Sequence, residues 1–118
     1  MSRKLDAALA EALGYEVVWI ADMPWQVRNK KAYPPTHYST DGRAMLELDK
    51  EMRGRGFVFW VSSHIDGAYK FAAEYFHPEN PPREEDGNLR ERMTFANEEP
   101  LVRAKAAYHA LTGKEWTE

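Results

Sequence analysis

Cysteine is absent from this sequence. That removes disulfides, thiolate nucleophiles and every cysteine-containing zinc site at once. It also points away from small secreted scaffolds, which lean on bridges. Long apolar runs are missing too: no stretch approaches the roughly 20 apolar residues that a membrane-spanning helix needs. Arg3 and Lys4 precede an Ala- and Leu-rich run, but Asp6 and Glu11 interrupt it. The run therefore lacks the continuous apolar centre of a signal peptide, and a cytosolic location is the plain reading, with no membrane partner. Basic charge is scarce as well. Lys and Arg number 16 against 19 Asp and Glu, a net charge of −3. Dedicated nucleic-acid binders carry a basic face, so nucleic acid is disfavoured as a partner.

What is present is the material of a core. The chain has 118 residues, which fits a single domain over 1–118. Hydrophobic residues make up 43% and aromatic ones 13%, with four Trp, six Tyr and five Phe, which excludes a wholly disordered chain.

Residues 3–13 carry Leu5, Ala8, Leu9, Ala12 and Leu13 at the spacing of one apolar helix face. Ser2 suits the N-cap and Gly14 the left-handed stop. Residues 15–20 then read as a strand, Asp22-Met23-Pro24 as a turn, and 25–28 as a returning half-buried strand. A loop over 29–38 contains Pro34-Pro35. Ser39-Thr40-Asp41 suits the start of a second helix, whose buried stripe is Ala44, Met45, Leu48 and Met52 and whose end is Gly54 or Gly56.

The run 57–61, Phe-Val-Phe-Trp-Val, is apolar on both alternating faces, which predicts a central strand covered above and below, with Phe59 and Trp60 both buried. Asp66-Gly67 signals a tight hairpin turn. Beyond it, Tyr69, Phe71, Ala73 and Tyr75 share one face, with Lys70 and Glu74 on a partly solvated other side. Residues 77–91, with three Pro and a cluster of acidic side chains, read as a flexible loop. A short strand over 93–96 is optional. The last helix spans about 98–111, with Leu101, Ala104, Tyr108 and Leu111 inward, Pro100 in its first turn and Gly113 as its stop.

The order α-β-β-α-β-β-(β)-α predicts an α+β fold. Its mainly antiparallel sheet of four or five strands would lie between helices, as an α/β/α sandwich.

The motifs of catalysis do not appear. His37, His64, His77 and His109 form no metal-ligand spacing. His64 and Asp66 flank Ile65 and offer an acid–base pair, but ordinary hairpin polarity explains them better than an enzyme site, which needs a third orienting group and a cleft. Ser39, Thr40, Ser62 and Ser63 lie in no nucleophile elbow. Gly54-Arg55-Gly56 follows a helix, where a phosphate loop would open one. Nothing calls for a cofactor or a metal.

Two clusters suit binding. Trp25, Arg28, Tyr33 and Tyr38 interleave rings and a cation, and would line a small-ligand or nucleotide pocket. Glu79, Glu84, Glu85 and Asp86 form a carboxylate cluster that complements a basic partner surface.

The chain also resembles the phage ABA-sandwich domain family, small proteins encoded by phages and prophages. The segments that carry the resemblance are Ala12-Leu13-Gly14-Tyr15-Glu16-Val17 and Tyr38-Ser39-Thr40-Asp41, then Ala44, Leu48 and Met52, Gly56-Phe57, and Ala110-Leu111 in an Ala-rich last helix. The sequence departs from the family in its acidic segment 77–91 and in Gly42. The resemblance implies a fold and a phage origin but no chemistry. The expectation is therefore a non-enzymatic phage accessory protein, in the host cytoplasm, that binds a host protein or protein complex. Inhibition of a host defence system would be one such role. A small-ligand binder is the alternative and an uncharacterised hydrolase the second alternative, with homo-oligomerisation open.

Overall fold

The computed structural model describes residues 3–34, 36–63, 69–79 and 93–116. Within them lie α1 (Arg3–Ala12), β1 (Glu16–Ile20), β2 (Met23–Arg28), β3 (Lys31–Tyr33), α2 (Gly42–Gly54), β4 (Val58–Ser63), β5 (Phe71–Phe76), β6 (Thr94–Ala96) and α3 (Glu99–Thr112). The class is α+β. However, the expected single sheet of four or five strands is replaced by two antiparallel sheets, in the orders β1-β2-β3 and β4-β5-β6. The expected element order lacked β3. Ser2, the Asp66-Gly67 turn and residues 80–91 of the acidic segment lie outside the described residues.

Local chemistry sets the boundaries. After α1, Gly14 adopts φ +99°. Its N–H reaches Glu11 O at 2.9 Å while Tyr15 N–H reaches Ala10 O at 3.0 Å. This paired closure satisfies the last carbonyls of the helix, and only glycine takes that backbone without strain. Gly56, at φ +90°, closes α2 in the same way, with Phe57 N–H on Met52 O at 3.1 Å. At the start of α2, Asp41 is the cap, accepting the Arg43 N–H at 3.0 Å.

The first sheet is folded by two tight turns. Ala21 and Asp22 have φ of 51° and 62°, and Asn29 and Lys30 have 51° and 65°. Two consecutive left-handed residues make the type I′ hairpin turn, whose twist matches that of the flanking strands. The second of these turns builds β3 inside the segment expected to be a loop. Asn29 is the one sequence hint, since Asn visits the left-handed region more readily than most residues.

In their layering, α1 packs on β1, β2 and α3, while α3 packs on β5, β6, α1 and α2. Among the described elements, helices thus lie between the two sheets, where a sheet between helices was expected. Burial on several sides explains the alanines of α3: Ala104, Ala106 and Ala107 are buried, along with Val102. Of the four positions expected inward, Ala104 is buried, while Leu101, Tyr108 and Leu111 are half-buried against the core.

The central strand is not the expected run 57–61. β5 is the middle strand, and Ala72, Ala73, Glu74 and Tyr75 are all buried. Glu74 is therefore not on a solvated side. β4 is an edge strand, with Val58, Trp60 and Val61 about two-fifths exposed. Phe59 is half-buried toward the core, its ring 4.8 Å from that of Tyr75. Trp60 points the other way, so apolarity on both faces of this run did not mean cover on both.

Candidate interaction surface

Strand alternation divides the first sheet into two faces. Val17, Pro24 and Gln26 point inward: Val17 packs against the core, and Pro24 and Gln26 are buried. Val18, Ile20, Met23, Trp25 and Val27 occupy the other face, paired across strands as Val18 with Trp25 and Ile20 with Met23. None of the five belongs to the core cluster; Ile20 is 50% exposed, and Val18, Met23, Trp25 and Val27 are half-buried. Thus β2 turns its polar side in and its apolar side out.

A chain of polar contacts holds that choice. Gln26 Nε2 donates to the Tyr38 hydroxyl at 3.4 Å, and Arg28 Nη2 donates to Gln26 Oε1 at 2.6 Å. The Arg28 guanidinium lies 4.0 Å over the Tyr15 ring, and the Tyr15 hydroxyl donates to Glu51 Oε1 at 2.6 Å. The buried amide is thereby satisfied at both ends, which removes the penalty of placing it inside. The hydrogen bond to Glu51 raises the pKa of Tyr15, with burial adding to it. Burial pushes Tyr38 up to about 12. Both phenols remain protonated at neutral pH, Tyr15 donating to Glu51 and Tyr38 accepting from Gln26.

Of the residues expected to line a ligand pocket, Tyr38 is 2% exposed and serves the core. Arg28 and Tyr33 are exposed on the same sheet face as Gln26, Tyr33 opposite it in register. Trp25 lies on the opposite face. The structure joins Arg28 to Tyr38 through Gln26 and separates both from Trp25. Glu79 is exposed just beyond β5. Glu84, Glu85 and Asp86 lie outside the described residues, as do His64 and Asp66.

A second polar centre escaped the sequence reading. Asp49 Oδ1 accepts from Arg103 Nη1 at 2.8 Å and from the Tyr75 hydroxyl at 3.0 Å, and Asp49 Oδ2 pairs with Arg53 Nε at 2.8 Å. Arg103 also stacks 3.9 Å over Phe59. The i, i+4 spacings Asp49–Arg53 and Glu99–Arg103 were the available signal. Both Asp49 oxygens and both terminal nitrogens of Arg103 are paired within the fold, while Arg103 Nε is buried without a hydrogen-bond partner; the pairing is the pattern of a structural tie. Among the described residues no three His, Asp or Glu side chains gather as metal ligands, and no helix is long and apolar enough to cross a membrane. A cavity of ≈ 90 Å³ lies between Tyr69, Thr94, Phe95, Lys105, Glu115 and Trp116. That is well below the roughly 300–1,000 Å³ of small-molecule pockets.

The fold is thus an α+β arrangement of two small antiparallel sheets about a helical core, with one half-buried apolar sheet face turned away from that core. No protein-family model matches the chain, and no curated protein matches it in sequence. A solved structure does match in three dimensions: a 2.0 Å crystal structure of a phage protein from Bacillus cereus ATCC 14579. The TM-score is 0.70 at 17% identity, over 99% of this chain and 92% of that one. The likeness is one of fold across almost the whole of both chains.

Proposed function

We propose that this protein is a non-enzymatic phage accessory protein that binds a host protein through the outer face of its first sheet. One observation carries the reading: Met23, Trp25 and Val27 face away from the core while Gln26 is buried behind them. An apolar sheet face with a Trp at its centre is the composition of a binding hot spot. The fold neighbour, a phage protein from Bacillus cereus, supports the phage assignment. The net charge of −3 and the run of Glu79, Glu84, Glu85 and Asp86 favour a partner whose apolar site has a basic rim. Anti-defence activity is one role such a contact would serve.

The test compares capture of a defined host protein by the wild type, by Trp25→Lys, and by a variant with all four acidic residues changed to Lys. Trp25→Lys should abolish capture while the melting transition stays cooperative. The acidic reversal should slow association and flatten its salt dependence. A host partner captured equally by all three folded proteins would overturn the reading.

A further inference from the structure

We propose that β1 pairs antiparallel with β1 of a second copy of this chain, about a two-fold axis at Val18, joining two three-stranded sheets into one of six. Among the described strands, β1 is an edge of its sheet. Natural edges are usually blunted by Lys, Pro, bulges or short length. The other edge of this sheet fits that rule: β3 has three residues, opens with Lys31 and runs into Pro34. β1 does not. It has five residues, Glu-Val-Val-Trp-Ile, in unbroken one-to-one register with β2, and a single charge. Trp19 and Ile20 are 51% and 50% exposed.

The turn fixes which backbone groups are free. Ala21 and Asp22 form a two-residue loop closed by Ile20 and Met23, and such a loop is closed by a hydrogen-bonded pair. Antiparallel pairs alternate between bonded and non-bonded. Ile20, Val18 and Glu16 therefore bond β2, while Val17 and Trp19 aim their N–H and C=O groups at the open edge. Pro24, opposite Trp19, agrees with this phase, since its position requires no N–H toward β1.

Two such edges fit one another in a register that follows from these directions. Val17 facing Trp19 of the second copy, and Trp19 its Val17, pairs every outward group of both strands and gives four backbone hydrogen bonds with Val18 on the axis, more than an axis at Val17 or Trp19 would give. A slip of one residue would set outward groups against inward ones. In the Val18-centred register Glu16 faces Ile20 of the second copy, so the only charge on the strand never meets itself. The assembly places two copies of the outer apolar face side by side. It does not depend on the host-protein reading, because the edge and the face are different surfaces.

A cysteine-free chain allows a direct test. At a non-bonded pair the two Val18 Cα atoms would lie about 4.5 Å apart, within disulfide range. The two Glu16 Cα atoms would be four residues out of register, roughly 13 Å apart along the strands and too far to bridge. Under mild oxidation Val18→Cys should form a covalent dimer and Glu16→Cys should not. Trp19→Pro removes an edge-facing N–H and leaves the β1–β2 bonds in place. Across a dilution series in analytical ultracentrifugation, the wild type should move from the one-chain mass toward the two-chain mass. Trp19→Pro should stay at one chain with an unchanged circular dichroism spectrum. A wild type that is monomeric throughout, equal cross-linking by the two cysteine variants, or a dimer that survives Trp19→Pro would each overturn the proposal. None of these results bears on host capture through Trp25.

Discussion

Asp6 offers a measurable contest between burial and hydrogen bonding. The residue is 4% exposed in α1, and its Oδ1 accepts the backbone N–H of Ser39 at 3.0 Å. Ser39 is fully buried, and the contact ties the first helix to the turn that opens the second. Burial raises the Asp6 pKa above its ordinary value, while the Ser39 contacts and the charge of His37 pull it partly back. A carboxyl whose folded pKa is raised holds its proton more tightly in the native state. Its contribution to stability is then fully present below the unfolded value of about 3.9 and is lost as pH rises through the folded value. Asp6→Ala removes the acceptor and leaves a buried N–H unpaired, at a cost of roughly 1–3 kcal/mol. Asp6→Asn keeps an acceptor oxygen and removes the ionisation, so it should lie within about 1 kcal/mol of the wild type at neutral pH. Urea unfolding followed by Trp fluorescence, from about pH 4 to pH 8, measures both effects. Relative to Asp6→Asn, the wild type should lose stability as pH rises. The reasoning fails if Asp6→Ala is as stable as Asp6→Asn, or if the wild type gains on the Asn variant with rising pH.

Ala21 sits at φ 51°, where a Cβ costs roughly 1–2 kcal/mol. Ala21→Gly should therefore raise the melting temperature, net of the ~0.5–1 kcal/mol that glycine loses through unfolded-chain entropy, and a fall on calorimetry would count against the turn assignment. In the α2–α3 tie, Arg103 and Asp49 side chains are 11% and 14% exposed, whereas Arg53 is 71% exposed. Asp49→Ala should approach the roughly 3–5 kcal/mol of a broken buried pair, and Arg53→Ala should cost under about 1 kcal/mol. Equal losses in denaturant titrations would refute that ranking.

Helices were the most legible part of the sequence because their signals are local. The spacing of Leu5, Leu9 and Leu13, the capping oxygen of Asp41 and the glycines at 14 and 56 each act within a few residues. What the sequence hid depends on distant partners. Ser39 passed for a cap residue, yet its backbone N–H serves Asp6, 33 positions away. Asp6 itself looked like an interruption of an apolar run. Glu74 looked solvated because its strand alternates, but β5 lies between two others and the alternation carries no information about which strand is central. β3 was invisible because three residues show no period, and its turn uses Lys30 where glycine is the usual marker.

The deepest ambiguity is in β2, and it bears on function. A period of two separates Met23, Trp25 and Val27 from Pro24, Gln26 and Arg28, but it does not say which set faces the core. Transfer energies alone would turn the Trp and Val inward. The structure takes the other choice because the inner side already holds acceptors and donors that match the polar set: the Tyr38 hydroxyl for Gln26 and the Tyr15 ring for Arg28. Once the amide is paired at both ends, its burial costs little. The outward Trp25, by contrast, is only half-buried and leaves part of its ring in water. Met23, Trp25 and Val27 are half-buried without joining the core cluster, so polar β-formers at these positions would cost that partial burial and leave the core itself intact. Half-buried apolar residues outside the core cluster are the physical reason to test that face for partner binding.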